Sequence, residues 1–263
     1  MGDQHLKGKI PTTRKWTAVV DAVAGGVGLA HDDVARLAAL TLDAAAPALE
    51  KAKDDPGLRH AFYLLTQIVL AARQPDWRQR LAQAGIAPGA DASLFDLTTS
   101  LHSAIDDYVA LHGRSTDIGE MAQQAAGEAV ASLAGDNAVT LFGSGGTHLQ
   151  AAIRDLSTRA GFARLGQVFF GRFLTRFLNF YLSRITAKEV GGNRLPTTSE
   201  VARFNETLRA HCEQSARIVR DFCGQWYSKT EYVEGIDQSN TSRFMVIALR
   251  KLARELAKQR AEV

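Results

Sequence analysis

Apolar residues recur along this chain three and four positions apart, the spacing that gathers them on one face of an α-helix, and the polar residues between them repeatedly supply helix-ending chemistry. The segment HDDVARLAALTLDAAAPALEKAKDD opens with Asp32 and Asp33, whose carboxylates suit the exposed amides of a helix N-terminus. Pro56 then fits the first turn of PGLRHAFYLLTQIVLAAR. A short apolar stretch over 16–23 precedes them. Further periodic segments cover 76–84, 93–112 and 117–133, and the intervening GIAPGAD and HGRST are turn chemistry. The first half is therefore predicted to be a set of short, Ala-rich helices.

The pattern changes at AGDNAVTLFGSGGTHLQ, where a short apolar run meets Gly143, Gly145 and Gly146. This Gly-rich connection, 137–146, marks the best candidate boundary between an acidic half, 1–136, and a basic half, 147–263, which either fold separately or pack as one domain. Beyond it the periodicity predicts a helix from about residue 147, a long aromatic-rich helix over 160–188, a break at GGNRLP, and a helix opened by the capping-box pair Thr197 and Glu200. Val201, Phe204, Leu208, Cys212, Val219, Phe222, Cys223 and Trp226 form one stripe along that helix. A loop, WYSKTEYVEGIDQSN, leads to a last helix over 241–260. The expected fold class is all-α, a multi-helix bundle with a central aromatic-rich helix and long C-terminal helices.

The run FFGRFLTRFLNFYLSR, 169–184, places its aromatics and leucines over an arc of roughly 220° on a helical projection, leaving a narrow sector for Thr175, Asn179, Arg172, Ser183 and Arg176. A helix lying on a membrane surface has the opposite proportions, a broad cationic face and a compact apolar one. A helix apolar over most of its circumference belongs at the centre of a bundle. Its two arginines, one turn apart, then either pair with carboxylates of the acidic half or face an anionic partner.

Composition adds limits. Hydrophobic residues make up 46% and charged residues 22%, ordinary globular usage that excludes disorder and fibrous repeats. No run of eighteen apolar residues lacks a charge, so no spanning helix is expected. Asp21 interrupts the apolar stretch behind the N-terminal lysines, which reads as an ordinary first helix and not a secretory signal. Cys212 and Cys223, eleven residues apart on one predicted helix, stand roughly 16 Å from each other and cannot bridge, which reads as a reducing cytoplasm. Arginine outnumbers lysine 22 to 9 amid abundant alanine, a bacterial flavour of composition. Net charge is divided, with −4 over 1–133 and +7 over 134–263, so the second half either meets a polyanion or is attracted to the first.

Candidate chemistry is sparse. No His, Cys or carboxylate spacing matches a metal site, and His102 with Asp106 reads as a local hydrogen bond; no cofactor and no catalytic residue is expected. Gly143, Gly145, Gly146 and Thr147 precede a predicted helix, a setting in which backbone amides approach phosphate, although the spacing fits neither nucleotide template and reads first as a flexible connection. On the last helix Arg243, Arg250, Lys251, Arg254 and Lys258 share the face opposite Met245, Leu249, Leu252 and Leu256. Together with Arg172, Arg176 and the loop residues Tyr227 and Lys229, they are the expected nucleic-acid contacts. The leading functional expectation is a helical polyanion-binding, nucleic-acid-binding subunit of a larger bacterial assembly. Against it stand a protein-protein interaction or scaffold subunit without nucleic acid, and a small phosphate-handling enzyme at Gly143–Thr147.

Overall fold

Residues 13–24, 31–89, 93–138, 146–189 and 198–259 are described by the computed structural model. Among them are eleven helices and no strand: α1 (Arg14–Ala24), α2 (His31–Ala52), α3 (Pro56–Ala71), α4 (Trp77–Gln83), α5 (Leu94–His112), α6 (Asp117–Ala138), α7 (Gly146–Asp155), α8 (Arg159–Glu189), α9 (Thr198–Ser215), α10 (Arg217–Val233) and α11 (Gln238–Gln259). The all-α bundle read from periodicity is the architecture found. Local chemistry sets the early helix starts. Asp55 caps α3 by accepting from the amide of Leu58 at 2.9 Å, with Pro56 behind it, and its other oxygen accepts from the Thr116 hydroxyl at 2.6 Å, fixing the entry to α6. Ser93 and Asp96 close a reciprocal capping box on α5.

The aromatic-rich α8 is the axis. Phe162, Phe169, Phe170, Phe173, Leu174, Phe177 and Leu178 are all buried, and α6, α9 and α10 pack around them with α1 and α2 at the edge. One hydrophobic cluster runs from Trp16 through α3 and α6 to Leu252, drawing on helices of both the acidic and the basic half. No described helix is long and apolar enough to cross a membrane. Thr197 and residues 139–145 lie outside the described residues, so the capping box at Thr197 and the centre of the Gly-rich connection do too.

Two expectations about the C-terminal helices need correction. The stripe from Val201 to Trp226 is carried by α9 and α10, which part at Ala216, so Cys212 and Cys223 sit on different helices. Just before the break the buried Ser215 hydroxyl donates to the carbonyl of His211 at 2.9 Å, a competing bond that bends helices. The break lets the chain stay on α8. Gly171 of α8 faces Glu213 of α9, while Gly224 of α10 lies so close to α8 that a Cβ there would stand 2.6 Å from the carbonyl of Arg159. The expected loop after Trp226 is mostly helix. α10 continues through Tyr227 and Thr230, both buried, and the turn shrinks to 234–237, where Gly235 takes a φ of 75°. Asp237 then caps α11 by accepting from the amide of Asn240 at 2.7 Å.

Phe62 of α3 joins these layers. Its ring lies 5.1 to 6.0 Å, between centroids, from Phe162, Phe169 and Phe170 of α8, Trp226 of α10 and Phe244 of α11. A second aromatic column stands at the far side of α3. His60, 7% exposed, stacks on Tyr108 at 3.7 Å, Tyr108 stacks on His112 at 4.1 Å, and the Tyr108 hydroxyl donates to Gln238 at 3.0 Å. Burial first, and the neighbouring His112 second, push the His60 pKa down to about 4.

Phe62→Ala is expected to cost about 3–5 kcal/mol in urea unfolding, whereas Phe95→Ala, at a site 76% exposed, is expected to stay within about 0.5 kcal/mol. His60 gives a pH signature. Its folded value lies below its ordinary one, so the unfolded chain takes up the proton first and stability falls as pH drops through about 6.5 toward 4. Between pH 7 and pH 4.5 the native chain should lose about 2–3 kcal/mol more than His60→Phe, measured by denaturant titration at each pH; equal losses would remove His60 as the cause.

Candidate functional site

The cations read from the sequence divide into two groups. Arg172 and Arg176 of α8 turn inward, toward α6 and α9. Arg176 donates to Gln124 Oε1 at 2.5 Å and is paired with Glu128, both on α6. Arg172 lies 3.9 Å from Glu128 and 3.6 Å from Glu213 of α9, with its side chain only 20% exposed. Of the two sequence alternatives for these arginines, internal pairing is what the geometry contains.

Tyr227 and Lys229, expected in a loop, are both in α10 and point to opposite sides. Tyr227 is 1% exposed, stacks on Phe162 at 4.1 Å, and accepts a hydrogen bond from Arg73 at 3.1 Å. Burial drives its hydroxyl pKa well above the ordinary range. It is a core residue. Arg73, just past the end of α3, also bonds Glu231 at 2.9 Å and so ties the acidic half to the basic one. Lys229 is exposed.

The second group stays at the surface. Arg243, Arg250, Arg254 and Lys258 are exposed along a single face of α11, and the half-buried Lys251 rests its ammonium over the Phe222 ring, 5.2 Å from its centre. These positions form a cationic ridge with a groove on either side. Toward α2, Leu42, Leu49, Val246 and Leu249 floor a groove of about 280 Å³, where Arg250 stands beside Glu50. Lys53 first, and Arg250 to a lesser degree, hold the Glu50 carboxyl below its ordinary range. Toward α10, Phe222, Trp226, Val233, Phe244 and Ile247 line a groove of about 490 Å³ whose charged residues are Lys229, Arg243 and Glu234.

The apolar part of this face escaped sequence reasoning. Ile218, Tyr232, Val233 and Ile247, four of the six large apolar side chains exposed among the described residues, belong to α10 and α11. One signal for it was present. Ile247 falls on the cationic side of α11, four residues after Arg243, where a solvated helix face would carry a polar group.

The remaining candidates do not assemble. Gly143 and Gly145 lie outside the described residues, and Gly146 and Thr147 form the first turn of α7. His102 and Asp106 are bridged by Gln123, which donates to the His102 carbonyl at 2.9 Å and to the Asp106 carboxylate at 2.8 Å. Among the described residues no group of three or more His, Cys, Asp or Glu is placed to hold a metal. Both cysteines are free and buried; burial pushes the Cys212 thiol up to about 12 and raises Cys223 further, which makes neither a nucleophile. Comparison with known proteins adds no relative from which a site could be carried over: no protein-family model matches the chain, and no curated protein or solved structure matches it.

Proposed function

We propose that this chain is an interaction subunit whose α10–α11 face docks an acidic, amphipathic segment of a partner protein. The observation that carries the proposal is the coincidence of the cationic ridge with exposed apolar residues: Lys229 and Arg243 stand with Glu234 in a groove floored by Phe222, Trp226, Val233 and Ile247. Interfaces are built in this way, with an apolar centre and a polar rim. The groove between Phe222 and Val233 is about 16 Å long at 1.5 Å per residue, room for a helix of about three turns. An occupant with leucine-like groups on one side and carboxylates on the other satisfies both the floor and the rim.

A nucleic-acid partner is the second reading, because Arg243, Arg250, Lys251, Arg254 and Lys258 run in line along α11 and a phosphate backbone follows such a line. It uses the ridge and leaves the exposed aliphatic pair Val233 and Ile247 unexplained, which is why the protein partner is favoured. Two free buried thiols fit a reducing compartment such as the bacterial cytoplasm.

Fluorescence anisotropy with three labelled probes separates these readings: a synthetic amphipathic Leu/Glu helix of fourteen residues, a scrambled peptide of equal composition, and a single-stranded DNA of twenty nucleotides. The amphipathic peptide is expected to bind best, and both Ile247→Asp with Val233→Asp and Arg243→Glu with Arg254→Glu are expected to weaken it about tenfold or more while circular dichroism stays unchanged. Preferential DNA binding that ignores the aspartate pair would overturn the protein reading and support nucleic acid. Equal binding of the scrambled peptide would overturn the groove.

A further inference from the structure

The large apolar side chains exposed among the described residues sort onto two faces of opposite charge. Ile218, Tyr232, Val233 and Ile247 belong to the α10–α11 face, and the other two, Phe95 and Leu111, belong to α5. Helix α5 contains Asp96, Asp106 and Asp107 and no lysine or arginine. At its C-terminal end Leu111 is 82% exposed, with the exposed Asp107 one turn before it and the exposed Asp117 and Glu120 in the first turn of α6 just beyond. From Asp106 to Glu120 four carboxylates stand against one arginine, Arg114. An apolar knob among carboxylates has the chemistry that the α10–α11 groove suits.

The groove side is complementary. Lys229 and Arg243 outnumber Glu234 in its lining, and α11 continues the excess through Arg250, Lys251, Arg254 and Lys258, with Glu255 its one carboxylate. Knob and groove also lie at one end of the molecule. The Tyr108 hydroxyl donates to Gln238, the first residue of α11, at 3.0 Å, and Leu111 follows Tyr108 by three residues, a neighbouring position on the α5 surface. Gln238 directly follows the turn that joins α10 to α11, beside the groove residues Val233 and Glu234. A knob and a groove near each other on one chain permit two copies, related by a two-fold axis, to exchange them.

We propose that the occupant of the α10–α11 groove is a second copy of this chain, in a reciprocal dimer in which the Leu111 end of α5 in each copy seats in the groove of the other. The carboxylates around the knob then meet the cations of α11, and Val233 and Ile247 are covered. Using the contact twice doubles the buried surface, which matters because stable interfaces bury about 1,200–2,000 Å². This inference rests on the docking reading of the α10–α11 face and names its partner.

Sedimentation velocity of the full chain up to about 100 µM, paired with anisotropy of the labelled Leu/Glu peptide, tests it. The chain is expected to form a dimer that weakens as salt is raised and that the peptide competes with. Leu111→Asp and Asp107→Lys are each expected to raise the dimer dissociation constant about tenfold or more, with circular dichroism and peptide affinity at high dilution unchanged. Val233→Asp with Ile247→Asp is expected to lose both dimer and peptide. A chain that stays monomeric at about 100 µM yet binds the peptide overturns the second copy as occupant and leaves the docking face standing, whereas a chain that does neither overturns the face itself. A dimer that Leu111→Asp leaves intact overturns α5 as the inserted element, and species that grow beyond the dimer overturn the reciprocal pairing.

Discussion

The packing of Phe62 against rings from three other helices is the contact on which the rest of the molecule depends. It sits on α3, in the acidic half, yet every aromatic it touches belongs to α8, α10 or α11. Aromatic pairs at these separations add about 0.5–1.5 kcal/mol each beyond the area they bury, so a single side chain binds the two halves with an energy comparable to a large part of a domain's net stability. Gln150 of α7 assists at the end of α3, donating to the carbonyls of Ala72 and Gln74. Arg73 assists beside it, through Glu231 and Tyr227. The α10–α11 face is backed by α8 behind α10 and by α2 and α3 behind α11.

Charge plays two distinct parts. On α8 it is internal: Arg172 and Arg176 reach Glu128 and Glu213, and the unequal charge of the two halves is partly spent in holding them together. On α11 it stays outward. The first arrangement sets the geometry of the bundle. The second leaves a surface whose field reaches about 8 Å into physiological salt.

Much of the fold was legible in the sequence because amphipathic periodicity and capping residues act locally. The centrality of α8 follows from an apolar arc too wide for a surface, and the starts of α3 and α5 from Pro56 and from the periodic segment over 93–112, while the caps Asp55 and Ser93 emerge with the structure. The parting of α9 from α10 was not legible, because both helices turn the same stripe toward α8 and a bend that preserves the buried face leaves the period intact. Helix α10 beyond Trp226 was missed for a different reason. Tyr, Ser and Thr have weak local helix preference, and the burial of Tyr227 and Thr230 overrides it. The inward turn of Arg176 depends on Glu128, 48 positions earlier, a relation no local pattern encodes. The cationic face of α11 was legible from spacing alone, while its apolar margin needed α10 in place beside it.

Phe244 belongs to two surfaces at once. Only 1% exposed, it stacks within the Phe62 cluster and also lines the α10–α11 groove, and Trp226 beside it, at 4.3 Å, does the same. Whatever settles in that recess leans on rings already engaged with the middle of the molecule. The indole of Trp226, shared between recess and interior, is an intrinsic fluorophore placed where an occupant would register as a change in emission.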